Sequence, residues 1–514
     1  MALVRSIATV GGYTGISRIL GFVRDVLIAA VVGTGPVADA FFVAFRLPNL
    51  FRRLFAEGAF NAAFVPLFAR HLEQNGAAAA KRFAEQSLSI LLFTLLTFTA
   101  LAMAAMPWFM YLLAPGFAET PEKFDLAVAL SRITFPYLLF MALVALLSGV
   151  LNSLYRFSAA AAAPILLNVF FIAALLFIVP HSTQPGQVMA WTVAAAGLAQ
   201  FLLLMVAAAR AGMALRLPWP RMTRGVRRLL KLMVPGVLSA GALQVNIMIG
   251  TIIASMQAGA VSYLYYADRV YQLPLGLIGI AFGVVLLPEL SRKLRSGAEA
   301  AATATLNRGL ELALLLTLPA AVALMVIPWP IVVVLFERGA FDRAASDATA
   351  LALAAFAFGV PAYVLVKILQ PAFFAREDTV TPLRIALASI VTNIVLSLIL
   401  FWPLRHVGIA LATAIAAWLN AALLGLTLRR RGLFALDQRI KGRLPRIALA
   451  SLVMGAGLWF GLDHLRPWFD TGVVEGIVAL CALVGGGLAL YGLCAFGLRA
   501  VRPEELRRLL PGRR

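Results

Sequence analysis

The chain has 514 residues, of which 62% are hydrophobic and 13% charged, with a formal net charge of +21 and a mean hydropathy of +0.92. A soluble protein would carry about 25% charged residues, so the composition excludes one, and apolar runs that are continuous rather than alternating exclude a β-barrel. The excess of positive charge does not point to nucleic acid as a partner, because the basic residues gather in loops on one side of the predicted spans.

Crossing a bilayer takes about 20 apolar residues, and the pattern predicts fourteen spans, beginning with 5–32 and 38–69. Arg18, Arg24 and Asp25 interrupt the first, so it reads as a helix and not as a cleavable signal peptide. Glycines 11, 12, 15 and 21 punctuate it, allowing either bending or close helix packing. The second span carries Asp39, Arg46, Arg52, Arg53 and Glu57, with Pro48 and Pro66 marking kinks. Spans 84–112, 126–155, 158–179 and 187–209 follow, with Lys123 placed in an outer loop beside Glu119 and Glu122. A basic linker containing Pro218 and Pro220 leads to spans 226–256 and 260–290, the latter bearing Asp268, Arg269, Pro274 and Pro288. The remaining spans are 305–332, 346–373 (with Lys367 buried), 381–402, 406–428, 446–464 and 473–498. Both cysteines, Cys481 and Cys494, fall in the last span, so neither a disulfide framework nor a zinc site is expected. The four histidines lie at span ends or in loops, which leaves no intramembrane metal or His-based catalytic site.

Loops on the N-terminal side hold Arg70, Lys81, Arg82, Arg156, the group at 210–231 and the group at 429–446, and the tail adds Arg499, Arg502, Arg507, Arg508, Arg513 and Arg514. The opposite loops hold few basic residues, mostly beside acids. That asymmetry predicts an even span number with both termini cytoplasmic. Shifting the chain by 226 residues aligns Gly33 with Gly259 and Leu47-Pro48 with Leu273-Pro274, and Asn152, Arg156 and Pro164 are echoed by Gln370, Arg376 and Pro382. The expected fold class is therefore an all-α polytopic membrane protein of fourteen transmembrane helices: two six-helix lobes as parallel pseudo-repeats, plus two C-terminal helices. The lobes would cover 1–209 and 226–428, joined by the linker at 210–225, with 429–514 holding the last two spans and a basic tail. Repeated halves around a site are an architecture of alternating-access transporters.

An ionisable residue inside a span is costly and usually faces protein or a watery cavity. At about 1.5 Å per residue, Arg24, Arg46 and Arg269 share a level roughly 12 Å below the outer surface. Six arginines (18, 24, 46, 52, 53 and 269) face four acids (Asp25, Asp39, Glu57 and Asp268). Arg53 and Glu57, four residues apart, can pair along one helix face. Two readings remain: a purely structural network of buried ion pairs, or a cationic chamber for an anionic headgroup. Arginine's planar fork suits phosphate better than lysine does, and the cations are concentrated in the first half.

Residues 39–53 read DAFFVAFRLPNLFRR, followed by FAEGAF at 55–60, APGF at 114–117 and YYADR at 265–269. With Ser17, Arg18 and the run Gly21, Phe22, Val23, Arg24, Asp25, this pattern resembles the MurJ (MviN) lipid II flippase family of the multidrug/oligosaccharidyl-lipid/polysaccharide exporter superfamily. The resemblance covers nearly the whole chain. It implies two six-helix lobes around a cavity in the bacterial inner membrane, and transfer of undecaprenyl-pyrophosphate-linked disaccharide-pentapeptide from the cytoplasmic to the outer leaflet. It implies substrate-binding roles for Arg18, Arg24, Arg52 and Arg269, with Asp25, Asp39, Arg46, Arg53, Glu57 and Asp268 as supporting cavity charges. Lipid II, membrane lipids and the cell-wall synthesis machinery are the partners it suggests; no cofactor is expected. Coupling to the membrane potential or to a monovalent cation is left open, since no residue declares an ion site. The alternative transporter is another exporter of the same superfamily, carrying a polysaccharide-lipid intermediate or a drug. An enzyme acting on polyprenyl-phosphate lipids would need a metal-binding acid cluster or a His-based centre, and the acids here are dispersed beside arginines.

Overall fold

The structure, a computed structural model, describes residues 2–53 and 60–501. Glu57, its expected pairing with Arg53, and the tail arginines 502, 507, 508, 513 and 514 lie outside the described residues. The described residues are mainly helical: α1 (Ala2–Val32), α2 (Pro36–Arg52), α3 (Asn61–Ala104), α4 (Met106–Leu113), α5 (Pro121–Thr134), α6 (Tyr137–Ser153), α7 (Ser158–Ala173), α8 (Pro185–Arg210), α9 (Arg224–Ser255), α10 (Ala260–Arg295), α11 (Glu299–Val326), α12 (Pro328–Phe336), α13 (Arg343–Phe374), α14 (Val380–Arg430), α15 (Gln438–Leu465), α16 (Trp468–Thr471) and α17 (Val473–Gly497).

Nine stretches among the described residues are long and apolar enough to cross a membrane. Two of these are bent pairs: α3 breaks its helical geometry at Gly76 (φ 76°) and α14 at Arg405 (φ 53°). With those breaks, with α2 and the part of α3 before Gly76 sharing the one predicted span 38–69, and with α1, α9 and α10 counted despite their charges, the arrangement is consistent with fourteen spans. Large apolar side chains such as Phe177, Trp402 and Leu493 are exposed along the outer faces, as lipid-facing helices require. Several predicted spans end differently from expectation, and proline explains it. Span 84–112 breaks at Ala105 before Met106-Pro107 and span 126–155 at Phe135-Pro136, where the prolines have no N–H to continue the helical ladder; span 305–332 breaks at Ile327, whose non-helical φ of −119° is what proline imposes on the residue preceding it.

Two pairs of turns share their backbone geometry. Gly33 and Gly259 both adopt positive φ, 64° and 77°. The turn after α6 places Tyr155 at φ 58° with Arg156 N–H donating to Leu151 O; the turn after α13 places Glu377 at φ 62° with Asp378 N–H donating to Phe373 O. These are the same left-handed helix cap.

The chain separates into two compact units, Met1–Ser262 with Arg338–Phe341, and Tyr263–Glu337 with Asp342–Arg514. The core of the first is rich in aromatics: Phe60, Phe64, Phe68 and Phe83 stack between α3 and its neighbours, and Phe41, Phe45 and Phe171 interlock α2 with α7. In the second, Leu286, Leu310, Ile368 and Leu424 centre a cluster joining α10, α11, α13 and α14, while Met454, Leu458 and Leu483 pack α15 against α17.

Candidate functional site

The intramembrane charges of the first unit sort into three arrangements. On α1, Arg24 and Asp25 are both buried, Arg24 only 7% exposed. The Arg24 guanidinium donates through Nε (3.0 Å) and Nη2 (2.7 Å) to Asp25 Oδ1, and through Nη1 to Asn168 Oδ1 on α7 at 3.0 Å. Asn168 Nδ2 in turn donates to Ser17 O at 2.9 Å, and Gly21 faces the same amide, where an added Cβ would make an ordinary contact at 3.6 Å. Phe171 lies under the guanidinium, 5.6 Å away. A charge so buried persists only when paired and bonded on every side, and Arg24 is thereby held in one orientation.

The second arrangement surrounds Asp39 on α2, which is 0% exposed. Its carboxylate accepts from Lys123 Nζ (2.7 Å), from the Gly259 and Ser262 backbone N–H groups (2.9 and 3.0 Å) and from Ser262 Oγ (2.6 Å). It caps the first turn of α10, where unsatisfied N–H groups and the helix dipole favour an anion. Lys123 is itself buried, its ammonium 4.0 Å from the centroid of Phe117. This corrects its sequence placement in an outer loop beside Glu119 and Glu122. The signal lay in the period of α5: Lys123 is in phase with the buried Ala127, Leu130 and Thr134.

The third is a ladder along α2. Arg46 Nη1 donates to Thr251 Oγ1 on α9, and Arg52 Nε donates to Asn49 Oδ1 at 3.1 Å, Asn49 itself being tied to Phe45 O. Arg52 is half-buried, whereas Arg18 on α1 and Arg53 at the end of α2 are exposed. Near these helices, the segment Arg338–Phe341 threads against the α1–α2 turn: Ala340 N–H donates to Ala30 O at 2.8 Å. Gly33 and Gly339 permit that approach, since a Cβ on either would lie 2.2 Å from the opposing carbonyl oxygen.

In the second unit, Arg269 on α10 is half-buried, donates through Nη2 to Tyr265 Oη at 3.0 Å and lies 4.8 Å from that ring's centroid. Its neighbour Asp268 accepts from Gln272 Nε2. The structure thus brings Arg24 together with Asp25, Arg46 with α9, and Asp39 with the start of α10. Arg269 belongs to a separate unit with its own aromatic support. Sequence reasoning missed Asn168 and Lys123 as partners of the charged set.

A family model described as "Lipid II flippase MurJ" matches residues 28–478. The chain belongs to this family. Among relatives, "Probable lipid II flippase MurJ" of Rhizobium tropici is 45% identical over 522 residues, covering 100% of this chain and 98% of that one. "Lipid II flippase MurJ" of Burkholderia cenocepacia is 38% identical, with 97% of each chain covered. Among solved structures, a lipid II flippase MurJ in an inward closed conformation superposes with a TM-score of 0.76 at 24% identity, covering 95% of this chain and 98% of that one. An inward-facing multidrug resistance MATE transporter superposes with a TM-score of 0.68 at 15% identity, covering 81% and 95%. The relatives are named as lipid II flippases, and the fold resembles that of the MATE transporter.

Proposed function

We propose that this protein flips lipid II from the cytoplasmic to the outer leaflet of the bacterial inner membrane by alternating access, with both termini cytoplasmic. The observation that carries this reading is identity of 45% over essentially the entire chain to a relative named as a lipid II flippase. Six-span halves at 1–209 and 226–428 would move against each other around the linker at 210–225, with 429–514 appended. Arg18, Arg24, Arg52 and Arg269 would contact the pyrophosphate, for which guanidinium forks offer paired donors. The Arg24 geometry supports a specific division of labour. Asp25 occupies part of its fork, so an incoming pyrophosphate competes with a carboxylate for the same N–H groups. That competition keeps binding reversible, as a carrier requires. Asp39, Arg46, Arg53, Glu57 and Asp268 would balance charge around these contacts. Any net charge carried across the membrane field is worth about 2.3 kcal/mol per elementary charge per 100 mV, enough to make transport sensitive to potential.

Complementation of a strain depleted of its own flippase tests the site. Arg24→Gln combined with Asp25→Asn removes the charge pair without stranding either member, and Arg269→Ala removes the cation of the second unit. Both variants should accumulate normally and fail to support growth. Normal growth of both would reject the pyrophosphate role. Competition by cationic dyes but not by lipid II, measured on purified protein, would favour a drug exporter instead.

A further inference from the structure

Residues 213–223 connect α8 to α9 as a strap without helical structure. Two bonds fix its path: Arg216 N–H donates to Glu85 Oε1 at 2.9 Å and Arg221 N–H to Gln86 Oε1 at 3.2 Å, both acceptors on α3. Met213 is buried in the core of the first unit and Leu215 packs against that core. From there outward the apolar side chains turn away from the protein: Leu217 is 61%, Trp219 80% and Met222 51% exposed. Around them stand Arg210, Arg216, Arg221, Arg224, Arg227, Arg228 and Lys231, all exposed. No acidic residue occurs anywhere between Asp125 and Asp268, and Glu85 already serves the Arg216 backbone and faces Lys81 at 4.0 Å.

A solvated basic run has no reason to hold a tryptophan, a leucine and a methionine in water on a backbone pinned by side-chain bonds. Tryptophan between prolines, flanked by arginines, has the chemistry of a bilayer interface: the ring sits at headgroup depth and the guanidiniums meet phosphates. We propose that this strap is a docking surface for anionic glycerophospholipids of the adjacent leaflet, with Leu217, Trp219 and Met222 inserted at the interface and Arg216, Arg221 and Arg224 on the lipid phosphates. The leaflet is the cytoplasmic one under the topology proposed above; the lipid chemistry is independent of that topology and of the transported substrate. Each basic residue near an anionic surface contributes roughly fivefold to partitioning, and the contribution falls with salt.

Bromine-labelled lipids test this in nanodiscs holding the full-length protein. The Trp219 signal is the fluorescence difference between the parent protein and Trp219→Phe, measured with brominated phosphatidylglycerol or with brominated phosphatidylcholine in otherwise identical mixtures. The expected result is severalfold stronger quenching by the anionic lipid, weakening as salt is raised and lost in Arg216→Ser/Arg221→Ser/Arg224→Ser. Equal quenching by both lipids at low salt would overturn the proposal. So would a contrast abolished by a modest excess of undecaprenyl pyrophosphate, which would make the strap a substrate contact. If the triple variant does not accumulate, the comparison of the two lipids at low and high salt in the parent protein decides.

Discussion

Replacing Asp39 by Asn keeps the shape of the side chain and removes its charge from a site with no solvent access. One amide oxygen can still accept from Ser262, but the amide NH2 then replaces the oxygen that accepts from both Gly259 N–H and Lys123 Nζ and points donors at those donors. Lys123 is stranded as a buried cation, and breaking a buried pair in this way costs about 3–5 kcal/mol. The reverse change, Lys123→Met, is milder. Asp39 retains three donors from Gly259 and Ser262 and the positive end of α10, so the loss is that of one charge-assisted hydrogen bond, about 2 kcal/mol. Combining the two leaves no stranded charge, and the double variant should be more stable than Asp39→Asn alone. At about 2–4 °C per kcal/mol for a unit of this size, the thermal midpoint in detergent should fall by about 10 °C for Asp39→Asn and about 5 °C for Lys123→Met. Lys123→Met as damaging as Asp39→Asn, or a double variant showing the sum of both losses, would refute the reasoning.

Gly339→Ala places a Cβ 2.2 Å from Ala30 O at a residue with φ 60°, and should lower stability by about 2–3 kcal/mol; Gly35→Ala, with open space around it, should be neutral by the same thermal assay. Asp378, outside the spans, accepts from Thr381 N–H and from Arg431, which together hold its carboxyl at about 2, below the ordinary 3.8. A lowered folded-state value means that its contribution is present above pH 3.8 and is lost as pH falls toward 2. Asp378→Asn should therefore cost about 1 kcal/mol at pH 7, discounted for solvent screening, and the gap in midpoint should narrow as pH falls below 3.8 and close only at about pH 2.

The bilayer spans were legible because long apolar runs have one physical explanation, and the intramembrane arginines stood out because charge in lipid is costly. What escaped the sequence depended on partners distant in the chain. Asn168 is a lone amide in an apolar helix, and nothing local to it says that it faces Arg24 across 144 residues. Lys123 follows two glutamates and reads as a solvated loop until the α5 period is followed through Thr134. The helix breaks at Ala105 and Ile327 were readable from Pro107 and Pro328, but continuous hydrophobicity across them argued for unbroken spans. The near contact of Gly33 with Ala340 joins segments some 300 residues apart, beyond the reach of any periodicity.

The most direct test of transport is lipid II translocation by purified protein in liposomes, with and without an imposed potential. The parent protein should move lipid II between leaflets. Arg24→Gln/Asp25→Asn and Arg269→Ala should each slow that movement by about tenfold or more, the loss of at least one charge-assisted phosphate contact, while reconstituting equally well. Both variants translocating at the parental rate would show that the arginines serve structure alone, and a parent protein that leaves lipid II in its original leaflet under either condition would contradict the flippase reading itself.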